Sequence, residues 1–298
     1  MKTPTLVTQP QFLAAVVAVL LAAWMGPVEA APKKAPALAA GEVAPGVRLL
    51  GRLSDARLTE SSGVVASRRH PGTLWTHNDG GGLRRQVLYA IDRAGATKAT
   101  FPLVGMVLRD WEDIALGEEG RLYVGDIGNN DARRTELAVH EVDEPDPAVG
   151  GRVLSPRRSW RLAFPGAPFD CEGLFVWQGH GFLVSKVFQD ARAQIYRFAL
   201  RDSAEVQTLE LVATLRVQSP VTGADLSPDG RRLAIIAKNG AYLHRIDGDV
   251  ARAGEVKPFQ ARFKHDHIEA CTFVADGLLA TSESREIYLF TSPEFTGQ

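Results

Sequence analysis

Apolar and polar residues alternate along most of this chain in short runs. Val87-Leu-Tyr-Ala-Ile91, Leu122-Tyr-Val-Gly-Asp126 and Glu286-Ile-Tyr-Leu-Phe290 are typical. Gly, Pro, Asn and Asp bound these runs, and that combination predicts strands rather than helices. Past the first thirty residues no stretch keeps a helical period. The runs fall into five units that share a polar signature: Glu60-Ser-Ser-Gly-Val64, Trp111-Glu-Asp-Ile114, Cys171-Glu-Gly-Leu174, Ala224-Asp-Leu226 and Ile268-Glu-Ala-Cys271. Aligning Ser62, Glu112, Glu172, Asp225 and Glu269 gives steps of 50, 60, 53 and 44. Units of this size with four strands each predict an all-β propeller over residues 46–298. Five blades are counted; six would need a blade hidden between Asp143 and Ser159.

The fifth unit ends one strand short. Ahead of the first unit, Gly46-Val-Arg-Leu-Leu-Gly-Arg-Leu53 reads as a strand with no partner. Pairing of Val47 to Leu53 with Glu286 to Phe290 would close the ring and leave no open edge there. Tyr89, Tyr196, Tyr242 and Tyr288 each fall in the third strand of a unit, where packing between neighbouring sheets is the expected role.

The N-terminus differs from the rest. Lys2, an apolar run from Phe12 to Met25 and the small-residue site Val28-Glu-Ala30 predict a secretory signal peptide over residues 1–30. An Ala/Pro/Lys-rich linker follows over residues 31–45. The expected location is therefore exported, periplasmic or extracellular. The run is shorter than the ~20 residues that cross a bilayer, so no membrane span is expected after cleavage. With 34 Lys+Arg against 35 Asp+Glu, the chain offers no basic excess for nucleic acid. Export permits a disulfide, but Cys171 and Cys271 fall in units three and five, so two buried free thiols are expected. A monomer is expected.

A second polar position follows the first in every unit. Glu112 to Asp126, Glu172 to Lys186 and Glu269 to Glu283 are each 14 apart; Asp225 to Lys238 is 13 and Ser62 to His77 is 15. In an up-and-down blade the first strand starts, and the second ends, at the same mouth of the channel. Both positions should converge there. Glu112, Glu172, Asp225 and Glu269 then form a ring of hard oxygen donors suited to Ca²⁺. Asp126, Lys186 and Lys238 are the candidate ligand-binding groups, for a small anionic molecule or a protein partner. His77 and Glu283 are the candidate catalytic bases, with Glu60 and Asp79 flanking the first unit. A solvated ring of acids, with Lys186 and Lys238 paired internally to Glu172 and Asp225, is equally compatible with the spacing. Ser61-Ser62-Gly63 near His77 lacks the context of a serine hydrolase. Gly125 to Asp131 has oxygen side chains but not the spacing of an EF-hand loop. His265-Asp266-His267 could ligate a transition metal.

Two sets of residues carry a resemblance. Asp225-Leu-Ser-Pro-Asp-Gly-Arg-Arg-Leu-Ala234 resembles the repeat of TolB-like and WD-repeat propellers. Glu60-Ser-Ser-Gly63, Pro71-Gly-Thr-Leu-Trp-Thr-His-Asn-Asp79, Asp110-Trp-Glu-Asp-Ile-Ala115 and Tyr123-Val-Gly-Asp-Ile-Gly-Asn-Asn130 together look like a set of exported bacterial propellers of unestablished role. That resemblance spans most of the mature chain. Calcium-dependent phytases and lactonase-like enzymes share the architecture and hold Ca²⁺ on axial carboxylates, but their motifs are not matched residue by residue. A binding module and a metal-dependent hydrolase of phosphate esters or lactones therefore both stand as readings.

Overall fold

The computed structural model describes residues 1, 38–81, 85–188 and 191–297. The expected signal peptide and residues 31–37 of the expected linker lie outside the described residues. Two strands, β1 (Glu42–Ala44) and β2 (Val47–Arg52), precede the first blade. Blade 1 comprises β3 (Ser61–Ala66), β4 (Leu74–Asn78), β5 (Val87–Ile91) and β6 (Thr97–Pro102). Blade 2 comprises β7 (Trp111–Leu116), β8 (Arg121–Asp126), β9 (Glu136–Asp143) and β10 (Arg158–Ala163). Blade 3 has β11 (Cys171–Trp177), β12 (His180–Ser185) and β13 (Gln194–Ala199). The chain then lends β14 (Gln207–Thr208) to the edge of blade 2, parallel to β10, before β15 (Glu210–Thr214) completes blade 3. Blade 4 is β16 (Val221–Leu226), β17 (Arg232–Ala237), β18 (Gly240–Arg245) and β19 (Phe259–Arg262). Blade 5 is β20 (Ile268–Val274), β21 (Gly277–Ser282) and β22 (Glu286–Phe290).

The protein is thus a five-bladed β-propeller. Blade 5 takes its fourth strand from the N-terminal side: Val47 lies opposite Phe290 and Arg52 opposite Glu286, antiparallel, as the orphan run predicted. β1 adds a fifth strand outside β2. The rival sixth blade is absent, because residues 144–157 form the connection between β9 and β10. The inner strands β3, β7, β11, β16 and β20 stand side by side in chain order and close on one another, β20 against β3.

Alternation in each strand puts every second side chain between two blades. The core accordingly divides into five clusters, one for each pair of neighbouring blades. Trp75, Phe101 and Trp111 fill the gap between blades 1 and 2; Trp160, Leu174 and Leu183 fill that between 2 and 3. Each such side chain contributes roughly 1.5–3 kcal/mol on full burial. The four third-strand tyrosines are buried in these seams. Cys171 and Cys271 are free and buried in separate seams. No helix among the described residues is long and apolar enough to cross a membrane.

Candidate functional site

Every inner strand carries one extra residue near its start, relative to its hairpin partner. The register shifts between Ser61 and Val64, Trp111 and Asp113, Cys171 and Gly173, Val221 and Gly223, and Ile268 and Ala270. A bulge of this kind re-aims a side chain. The residues it sets apart are Ser62, Glu112, Glu172, Thr222 and Glu269. A small residue follows in four blades because the next inner strand lies close. A Cβ on Gly63 would fall 2.9 Å from the Ile114 nitrogen, and one on Gly223 would fall 2.8 Å from the Glu269 oxygen.

Two further positions join this tier. Ahead of each inner strand stand Glu60, Asp110, Asp170, Pro220 and His267. Their carbonyl oxygens accept from the residues that leave the second strands: Asp79 (2.8 Å), Gly128 (3.1 Å), Lys186 (2.9 Å), Lys238 (3.1 Å) and Glu283 (2.9 Å). Backbone pairing therefore delivers Asp79, Gly128, Lys186, Lys238 and Glu283 to one mouth. Blade 2 alone presents no side chain there. A Cβ on Gly128 would lie 2.2 Å from Glu112 Oε1 and 2.4 Å from Asp110 Oδ2, so the glycine is what lets those two carboxylates share the space.

Three acids of the first two blades meet in this space. Asp79, Asp110 and Glu112 each offer an oxygen, all within 4.8 Å of one another. No cation among the described side chains forms an ion pair with any of the three. Burial, then the charge of Asp110, pushes the Asp79 carboxyl up to about 6. Burial and then Asp170 raise Asp110. Burial and the neighbouring carboxylates, Glu172 first, raise Glu112 well above the usual range. Asp79 Oδ1 is buried without a hydrogen-bond partner, as is Asp170 Oδ2 behind the group. Among the described residues the side-chain donor to Glu112 is the Ser62 hydroxyl, 3.3 Å from Oε2.

On the far side of the mouth the two bulge-position glutamates each have a lysine. Lys186 Nζ sits 2.6 Å from Glu172 Oε1, and Lys238 Nζ is bonded to Glu269 Oε1 in the next blade. Glu283 Oε2 faces His267 Nδ1 at 3.1 Å and is close enough to Asp79 to raise it further.

Three of the expected site residues stand apart from this mouth. Asp225 lies three residues beyond the bulge position, which in blade 4 is Thr222. Its carboxylate accepts from the amides of Leu226 (2.8 Å) and Phe273 (2.8 Å) and from Thr272 Oγ1 (2.9 Å). It ties blade 4 to blade 5, as Asp113 ties blade 2 to Leu174 of blade 3. Lys238 consequently pairs with Glu269 and not with Asp225. His77 is sealed between blades 1 and 2, stacked on Trp111 at 3.7 Å, and burial lowers it to about 3. Asp126 is two residues short of Gly128, the blade 2 residue at the mouth. Arg134 clasps it at 2.6 Å, and its Oδ1 accepts from the amides of Arg109 and Asp110. It positions the segment that presents Asp110, as Asn78 does for Thr59 and Glu60 in blade 1.

Asp110 and Asp170 were not singled out by the sequence reading. The signal was there two places upstream of the aligned positions, where Glu60, Asp110 and Asp170 precede three successive inner strands. His265 and His267 diverge, His265 Nε2 toward Tyr288 Oη (3.1 Å) and His267 toward Glu283.

No protein-family model matches the chain, and no curated protein sequence matches it. Among solved structures it is similar to the Dos1 propeller, with 12% identity and a TM-score of 0.38. The match covers 82% of this chain and 65% of that one, so the chain spans less than two thirds of that protein's length. The protein is a β-propeller with an acidic cluster at one mouth that could coordinate a metal ion.

Proposed function

We propose that this is an exported, monomeric propeller that holds Ca²⁺ on Asp79, Asp110 and Glu112 and binds a small anionic ligand through that ion. The observation that carries the reading is the imbalance at the mouth: one buried and two half-buried carboxylates share one space under Gly128, and no cation among the described side chains forms an ion pair with any of them. Like charges this close oppose one another's ionisation, and a hard divalent ion would relieve all three at once. Lys186 and Lys238 are already engaged, so they would steer an anion toward the ion rather than grip it alone. Export fits a weak site, because extracellular calcium modules work with Kd values of roughly 10⁻⁴–10⁻³ M. The apolar N-terminal run and the resemblance to exported bacterial propellers support that location.

A second reading, a calcium-dependent hydrolase of phosphate esters or lactones, draws on the half-buried Glu283 and its exposed partner His267 beside Asp79. That pair would serve as general base; the sealed His77 is poorly placed for the task. Metal analysis of the purified protein, followed by phosphatase and lactonase substrates with and without chelator, separates the readings. About one calcium per chain without turnover supports the binder. Chelator-sensitive turnover that is lost in Glu283→Gln supports the hydrolase. Protein that takes up no calcium at millimolar concentration rejects both.

A further inference from the structure

The opposite mouth is built differently. There the hairpins between first and second strands gather, and two cavities open among them. The larger, about 540 Å³, is bordered by blades 1, 4 and 5; the smaller, about 300 Å³, by blades 2, 3 and 4. Arg68, Leu116, Leu226 and Pro228 border both, so the two form one crevice with a common waist. Val65, Leu116, Leu226 and Phe273 are almost wholly withdrawn from solvent and yet face this empty space. A preformed apolar cavity of roughly 300–1,000 Å³ with a few polar groups is the usual form of a small-molecule site.

The charges at the waist decide what would fit. Arg93 is paired with Asp276 at 2.9 Å, and Arg232 donates to the Phe295 oxygen at 2.7 Å while lying over the Phe273 ring. Asp225, on the wall, is already satisfied by the two amides and the hydroxyl described above. Arg68, exposed at the waist beside the apolar walls, alone has no ion pair or hydrogen bond among the described residues, and its charge favours the ionised form of the neighbouring Asp225. A guanidinium offers donors in a planar fork that matches a carboxylate.

We propose that this crevice binds one small amphipathic organic anion, its carboxylate on Arg68 and its apolar body against Val65, Leu226 and Phe273. The site is separate from the acidic mouth and needs no metal. Displacement of the fluorescent anion 1-anilinonaphthalene-8-sulfonate tests it in chelated buffer, with decanoate and its uncharged counterpart decanamide as competitors. Decanoate should displace the probe at roughly tenfold lower concentration than decanamide, as a charge-assisted hydrogen bond allows. Arg68→Gln should erase that preference, and Arg68→Lys should keep part of it, which covers the case where the glutamine variant fails to fold. Asp110→Asn, at the other mouth, should leave it intact. Absence of displacement, equal displacement by the two competitors, or a preference that survives Arg68→Gln would overturn the proposal. So would its loss in Asp110→Asn.

Discussion

One half of the acidic mouth pairs its buried glutamates with lysines and the other half does not. In blades 3 to 5, Glu172 and Glu269 are buried but each is bonded to a lysine. In blades 1 and 2, Asp79, Asp110 and Glu112 crowd together, and none of them forms an ion pair among the described residues. Both halves come from the same bulged strand starts and the same returning strands, so the scaffold does not explain the difference. What differs is the residue at the return position: Lys186 and Lys238 on one side, Asp79 and Gly128 on the other. A compensated acid stabilises the ring. An uncompensated cluster costs stability, and its retention is explained if something outside the chain completes it.

The two halves should respond to mutation with opposite signs. Lys186→Met leaves Glu172 buried and unpaired, and that should cost roughly 3–5 kcal/mol in urea unfolding. Asp79→Asn, in calcium-free buffer near pH 7.5, should instead gain about 1–2 kcal/mol, since it removes a charge that burial and Asp110 oppose. A gain from Lys186→Met, or a loss from Asp79→Asn, would erase the distinction between the halves. The pH dependence sharpens it. Asp79 holds its proton more tightly in the folded state than in the unfolded chain, moving from 3.8 to about 6. Its contribution to stability is therefore complete below about pH 4 and is lost as the pH rises through 6. The chelated wild type should lose stability relative to Asp79→Asn across that interval. Parallel pH profiles for the two proteins would contradict this assignment of the strain.

Much of this arrangement was legible in the chain. The ring, the blade count and the closing strand followed from strand-sized runs in five units and one orphan run before the first. Glu112, Glu172 and Glu269 were aligned correctly because each is an acid at its bulge. Blade 4 misled because its bulge residue is the neutral Thr222, and an alignment on acids slid to Asp225. Blade 1 misled through its hairpin. Residues 67–73 separate β3 from β4, where two residues suffice between β11 and β12, and a spacing near 14 then selects His77 in place of Asp79. Burial of His77 against Trp111, and the contribution of Gly128 through its missing side chain, depend on contacts between blades. Periodicity within one blade does not encode them.

The central claim is that the uncompensated half is completed by calcium, and a calcium titration of the melting temperature tests it most directly. Wild-type protein should gain stability by mass action, approaching about 2.7 kcal/mol at a hundred times the Kd. Gly128→Ala should gain far less, because its Cβ would occupy the space between Asp110 and Glu112. A wild-type melting temperature that stays constant up to several millimolar calcium would contradict the account, as would an equal rise in Gly128→Ala.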